Sequence, residues 1–118
     1  MGFNMEIKNS ALVVYLDCEI DHHSAERLRS QIDATYEKSS CKHIILDFSN
    51  VGFMDSSGIG MIIGRYKNAE KRGGRLFITS MNSEMERLYN ISGLAKIIFR
   101  SDTVEDALTS INTGRDLL

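Results

Sequence analysis

Residues 44–66 read IILDFSNVGFMDSSGIGMIIGRY. Ile44–Phe48 is short and nearly all apolar, the pattern of a central strand covered on both faces. From Ile59 onward the apolar residues Ile59, Ile62, Ile63 and Tyr66 fall at i, i+3, i+4 and i+7, the period of an amphipathic helix. A strand that passes through a short connection into a helix is the building unit of an α/β fold. At the junction, Asp55 is placed to cap the helix, with Ser56 and Ser57 in its first turn, and Gly58 lets backbone or a ligand come close. Unpaired N–H groups and the helix dipole favour negative charge there, so a phosphate on either serine would enter a site suited to an anion. At 100° per residue, Ser56 falls nearer the Ile59/Ile63 side and Ser57 nearer solvent. First-turn side chains project past the helix end, however, so the wheel leaves the phosphoacceptor open between the two. Gly60 and Gly64, four apart, each cost about 1 kcal/mol relative to Ala in a helix interior. Either close packing on the sheet or a surface smooth enough for a partner would account for them.

Outward from this unit the alternation continues. Phe3–Lys8 and Ala11–Cys18 read as strands joined by a tight turn at Asn9-Ser10, the second apolar on both faces. Asp21 can cap a helix carrying Ala25, Leu28, Ile32 and Tyr36 on one stripe. The Ile59 helix should stop before Gly73-Gly74, and Arg75–Thr79 is the next strand. Ser83 and Glu86 have capping-box spacing ahead of Leu88 and Tyr89. Ile97–Phe99 reads as a short strand. Asp102 with Glu105 opens a last helix with Val104, Ala107, Leu108 and Ile111 inward. The expected architecture is a single α/β domain over 1–118. It has a mixed central sheet of four to five strands, with about four helices packed mainly on one face.

Composition narrows the functional classes. A chain of 118 residues, 42% hydrophobic, has a core large enough to stand without disulfides or a metal. A net charge of −2 gives no electrostatic footprint for nucleic acid or an anionic membrane. Lys67, Lys71, Arg72 and Arg75 cluster, and read as a solvated helix face and turn. Cys18 and Cys41 form no CxxC pair, so reduced thiols in a soluble cytoplasmic protein are expected. No apolar stretch approaches the roughly 20 residues of a membrane helix. Gly2 is followed by Glu6 where a myristoylation signal needs Ser or Thr. Adjacent His22 and His23 point about 100° apart on a helix and do not readily share a metal. Gly58-Ile59-Gly60 lacks the third small residue of a dinucleotide loop, no Walker lysine follows, and no glycine precedes either serine at hydrolase spacing. No catalytic residue, cofactor or metal is assigned.

Asp55-Ser56-Ser57-Gly58-Ile59-Gly60 closely resembles the signature of the anti-sigma factor antagonists, the STAS-domain family. The resemblance spans most of the chain, through Glu19-Ile20-Asp21-His22-His23, Ile44–Asp47, Gly64-Arg65-Tyr66-Lys67, Gly73-Gly74 and Ser92-Gly93-Leu94. The histidine pair and the Gly-Arg-Tyr-Lys run are similar to the sporulation branch. The resemblance implies that Ser56, the first serine, is phosphorylated by an anti-sigma factor that is an ATP-dependent serine kinase, and that a PP2C-type phosphatase reverses the step. The unphosphorylated form would bind the anti-sigma factor and free the sigma factor. Asp21, Asp55, Ser56, Ser57, Gly58 and Gly60 are the expected partner-binding residues. One departure stands out: Cys18 occupies a position where family members commonly carry Gly, which puts the local turn geometry in question. Two other readings remain, a phosphoaspartate receiver with Asp47 as acceptor and a nucleotide-binding STAS module.

Overall fold

The computed structural model describes residues 2–113. Strands β1 (Phe3–Lys8) and β2 (Ala11–Leu16) form a hairpin in which Lys8 pairs with Ala11, leaving Asn9-Ser10 as the turn. Asn9 takes the left-handed conformation (φ 57°), which Asn tolerates better than most residues. The chain continues as α1 (His22–Lys38), β3 (His43–Asp47), α2 (Ser56–Lys71), β4 (Leu76–Thr79), α3 (Ser83–Ile91), a 3₁₀ turn (Leu94–Lys96), β5 (Phe99–Ser101) and α4 (Val104–Asn112). The five strands stand in the order β1-β2-β3-β4-β5; β1 is antiparallel to β2 and the other pairs are parallel.

Alternation along the strands divides the core between two faces. Leu12, Val14, Leu16, Ile44, Leu46, Leu76 and Ile78 pack with Leu28 and Ile32 of α1, Met61 and Ile62 of α2, and Met85 and Tyr89 of α3. Ala11, Val13, Ile45 and Phe77 face the other way, against Val104 and Ala107 of α4. Three helices therefore cover one face and α4 alone the other, the expected mixed sheet with helices mainly on one side. Fully buried Leu and Ile side chains such as Leu12, Leu28 and Ile62 each contribute about 1.5–3 kcal/mol.

Several boundaries differ from the sequence reading. β2 ends at Leu16, although Asp17 N–H still donates to Gly2 O at 2.7 Å, one pair beyond the strands in the same antiparallel register. Asn82, not Ser83, caps α3: its side chain accepts from Met85 N–H at 2.9 Å, so Ser83 and Glu86 do not make the expected capping box. Thr103, not Asp102, caps α4, accepting from Asp106 N–H at 3.1 Å. β5 begins at Phe99 instead of Ile97, because Ile97 and Ile98 N–H groups both donate to Leu94 O and prolong the preceding turn. α2 stops as expected: Arg72 follows its last residue, and Gly73 then takes a φ of 74°, which costs glycine little.

Candidate functional site at two joined helix starts

The loops leading into α1 and α2 are stitched together. Ile20 and Met54 form an isolated parallel β-bridge: Ile20 N–H donates to Phe53 O at 2.9 Å, and Asp55 N–H donates to Ile20 O at 3.0 Å. Each bridge residue immediately precedes a capping aspartate, so Asp21 and Asp55 stand side by side on one rim of the sheet, as the sequence order suggested. Asp21 makes a full capping box with Ser24: its Oδ1 accepts from Ser24 N–H at 3.0 Å, and Asp21 N–H donates to Ser24 Oγ at 2.9 Å. Hydrogen bonds from Ser24, its N–H foremost, hold the exposed Asp21 carboxyl below the ordinary carboxylate range. Asp55 accepts from Ser57 N–H at 2.8 Å.

Ser56 is therefore the first residue of α2, and it is exposed, whereas Ser57 is half-buried. That reverses the wheel placement. The buried stripe of α2 runs through Gly58, Met61, Ile62, Arg65 and Ala69, with Ile59 and Ile63 only half-buried on its flank. Arg65 is what shifted it, because a charged residue hid a core position from periodicity. Arg65 is 4% exposed, and its guanidinium reaches Asp33 of α1, tying the two helices together behind their joined starts.

The glycines divide into two kinds. A Cβ on Gly58 would run into the Met54 side chain and come within 3.1 Å of Ile20 Cγ2, so this glycine is what lets the bridge close. Gly60 and Gly64 have open space where a Cβ would stand. Packing on the sheet does not explain them; the exposed Gly60 instead borders a groove of about 230 Å³ between α1 and α2, with Ser57, His22, Glu26 and Arg29 around it.

Other sequence candidates resolve differently. Cys18 is half-buried and is not among the residues with positive φ, so its replacement of a family glycine needs no left-handed backbone; burial pushes its thiol pKa up. Among the described residues Cys18 and Cys41 are free thiols. His22 and His23 stand edge to face, 6.0 Å between ring centres, and no group of three or more His, Cys, Asp or Glu among the described residues could hold a metal. Asp47 is 7% exposed, and both its oxygens accept, from Thr79 Oγ1 at 2.8 Å and Ser49 Oγ at 2.6 Å, so it serves as a strand-end acceptor. Arg72 leaves the basic cluster: it lies 4.1 Å over the Tyr36 ring and donates to Ser39 O and Cys41 O. No helix among the described residues is long and apolar enough to cross a membrane.

The family model of the STAS domain matches residues 2–107. This chain belongs to the STAS-domain family. The STAS domain here is 40% identical over 111 residues to the anti-sigma F factor antagonist of Paenibacillus polymyxa, covering 94% of this chain and 95% of that one. It is 33% identical over 100 residues to the anti-sigma-B factor antagonist of Bacillus subtilis, covering 83% and 90%. Its fold superposes on the anti-sigma factor antagonist SpoIIAA in unphosphorylated form with a TM-score of 0.82 at 28% identity, covering 94% of this chain and 96% of that one.

Proposed function

We propose that this STAS domain is an anti-sigma factor antagonist, a regulatory binding protein with no chemistry of its own, switched by phosphorylation of Ser56. The observation that carries the reading is the exposed Ser56 hydroxyl on the first turn of α2, at a rim where two aspartate-capped helix starts are joined. Two further facts support it. The Paenibacillus polymyxa relative is named for antagonism of an anti-sigma F factor, and SpoIIAA has been solved in an unphosphorylated form and, from Bacillus, in a phosphorylated form.

The unphosphorylated chain binds an anti-sigma factor that is also an ATP-dependent serine kinase, and so releases a sigma factor in the cytoplasm. Asp21, Asp55, Ser56, Ser57, Gly58 and Gly60 make the contact surface. Phosphorylation adds about −1.5 to −2 charges to Ser56. The α2 dipole offsets part of that, typically 0.3–1 kcal/mol, so the domain stays folded. A partner packed on the same spot gains no such compensation and meets a poorly solvated anion beside two carboxylates. A PP2C-type phosphatase restores the binding form. The 40% identity to an anti-sigma F factor antagonist supports placing the chain in the sporulation branch.

The test is incubation with ATP and the anti-sigma F factor of Paenibacillus polymyxa, followed by mass mapping. Phosphate on Ser56 is expected, with loss of binding on modification. Ser56→Ala should bind and stay bound in ATP, and Ser56→Asp should bind poorly. Modification elsewhere, or equal binding by both variants, would overturn the proposal.

A further inference from the structure

The connection into α2 holds a residue that neither the core nor the caps use. Val51 and Met54 are buried at 3% and 6% exposure, while Phe53 between them is 47% exposed. This exposure is not slack. Phe53 O accepts from Ile20 N–H at 2.9 Å, and Val51 N–H donates to Phe48 O at 3.0 Å, so the main chain is fixed on both sides of the ring. Asn82 Nδ2, at 3.4 Å from Gly52 O, adds a weaker tie to the start of α3. Beside the ring runs a groove of about 210 Å³, with Met54, Met85 and Leu88 as its apolar lining and Glu84 and Arg87 at its edge. An aromatic ring over an apolar groove with a charged edge is the arrangement of an interface centre and its rim. Aromatic residues at such centres carry a large share of affinity. Because the backbone is already fixed, a partner would have little ordering cost to meet there.

We propose that Phe53 is the apolar anchor by which the unphosphorylated chain holds the anti-sigma factor, with an aliphatic side chain of that partner entering the groove beside it. The proposal rests on the function proposed above. Continuity with Ser56 selects the occupant: Phe53 lies three residues before Ser56, and its carbonyl is bonded to the residue preceding Asp21. A protein face that covers Ser56 therefore reaches Phe53 as well. Among the described residues the other exposed large apolar side chains, Ile7, Ile91 and Ile97, belong to β1, the end of α3 and the turn before β5, away from this connection in the chain. Phe53 then supplies affinity, while Ser56 decides whether that affinity is realised.

The experiment titrates the wild-type chain, Phe53→Ala, Phe53→Leu and Ser56→Asp with the anti-sigma F factor of Paenibacillus polymyxa, and follows phosphorylation of Ser56 in parallel. Phe53→Ala should weaken binding at least tenfold, mainly through faster dissociation, and lower kcat/KM for phosphorylation to match; Phe53→Leu should recover part of the loss. Hydrogen exchange on the wild-type complex should show protection at residues 51–54 and 84–88 as well as 56–60, a readout that stands even if a variant folds poorly. Binding by Phe53→Ala within twofold of wild type, or protection confined to 56–60, would overturn the anchor while leaving the Ser56 switch intact. Failure of the wild-type chain to bind, or tight binding by Ser56→Asp, would overturn the proposed function and the anchor with it.

Discussion

Ile20 and Met54 face each other across a parallel bridge, one residue before the aspartates that cap α1 and α2. The bridge fixes the spacing of two helix N-termini, and Gly58 is the residue that leaves room for it. Gly58→Ala should therefore destabilise the domain by about 1–2 kcal/mol in urea unfolding: displacing the packed Met54 thioether outweighs the helix propensity that Ala adds. Gly60→Ala should do the opposite. Its Cβ enters open space, so stability should rise by about 1 kcal/mol, while binding to the anti-sigma factor should weaken. Equal effects of the two substitutions on stability would show that the bridge is not what Gly58 protects.

Asp21 has two roles that substitution can separate. As a cap it offers an oxygen to Ser24 N–H; as a proposed contact it offers a charge. Asp21→Ala loses both and should cost about 1 kcal/mol of stability. Asp21→Asn keeps the acceptor and should stay within a few tenths of wild type in unfolding, since Asn caps about as well as Asp. If the partner reads the carboxylate, both variants weaken binding alike. Wild-type affinity for Asp21→Asn would confine Asp21 to its structural role.

The sequence was most legible where one rule acted alone. β1, the caps Asp21 and Asp55, the α1 stripe and the stop at Gly73 all follow from period and local hydrogen-bonding chemistry. Legibility failed where two residues competed for one role, as Asn82 did with Ser83 and Thr103 with Asp102, because both members of each pair are good caps. It failed again at α2, where the buried Arg65 carries no apolar signal although it fills a core position. The Ile20–Met54 bridge was invisible for a different reason. It joins residues 34 positions apart, and only the matching order of an apolar residue followed by aspartate, in Ile20-Asp21 and Met54-Asp55, hints at the symmetry.

His43 gives the fold a pH dependence whose sign follows from its surroundings. Its Nδ1 accepts from Arg75 N–H at 3.0 Å, which requires that nitrogen to be unprotonated. Burial, with the nearby positive charges of Arg75 and Lys42, lowers its pKa below the ordinary 6.5. Between the depressed folded value and 6.5 the unfolded chain binds more protons, so stability rises with pH across that window. The contribution is fully present above 6.5 and is lost as pH falls through the folded value. Unfolding midpoints of wild type should decline as pH is lowered from 7 to 5, and His43→Gln should flatten that part of the curve. An unchanged slope in the variant would place the dependence elsewhere.

Arg65 and Asp33 lock α1 to α2 behind the joined caps. Arg65 Nη2 donates to Asp33 Oδ2 at 3.1 Å and Nη1 to Met61 O at 3.2 Å, while Nε lies 2.8 Å from Asp33 Oδ1 as a close ionic contact outside hydrogen-bonding alignment. Asn68 Nδ2 donates to the same carboxylate at 2.9 Å. Burial lowers the guanidinium pKa and Asp33 opposes that, the balance of a charge held inside by its partner. Removing one member of a buried pair typically costs 3–5 kcal/mol. Asp33 is 23% exposed, so the lower end applies, and Arg65→Ala should lose about 3 kcal/mol. Arg65→Met refills the volume but leaves Asp33 without its cation just as Ala does, so it should recover only the packing part of that loss. Urea unfolding of the two variants checks the order; equal losses would mean that the charge, not the packing, holds these helices together.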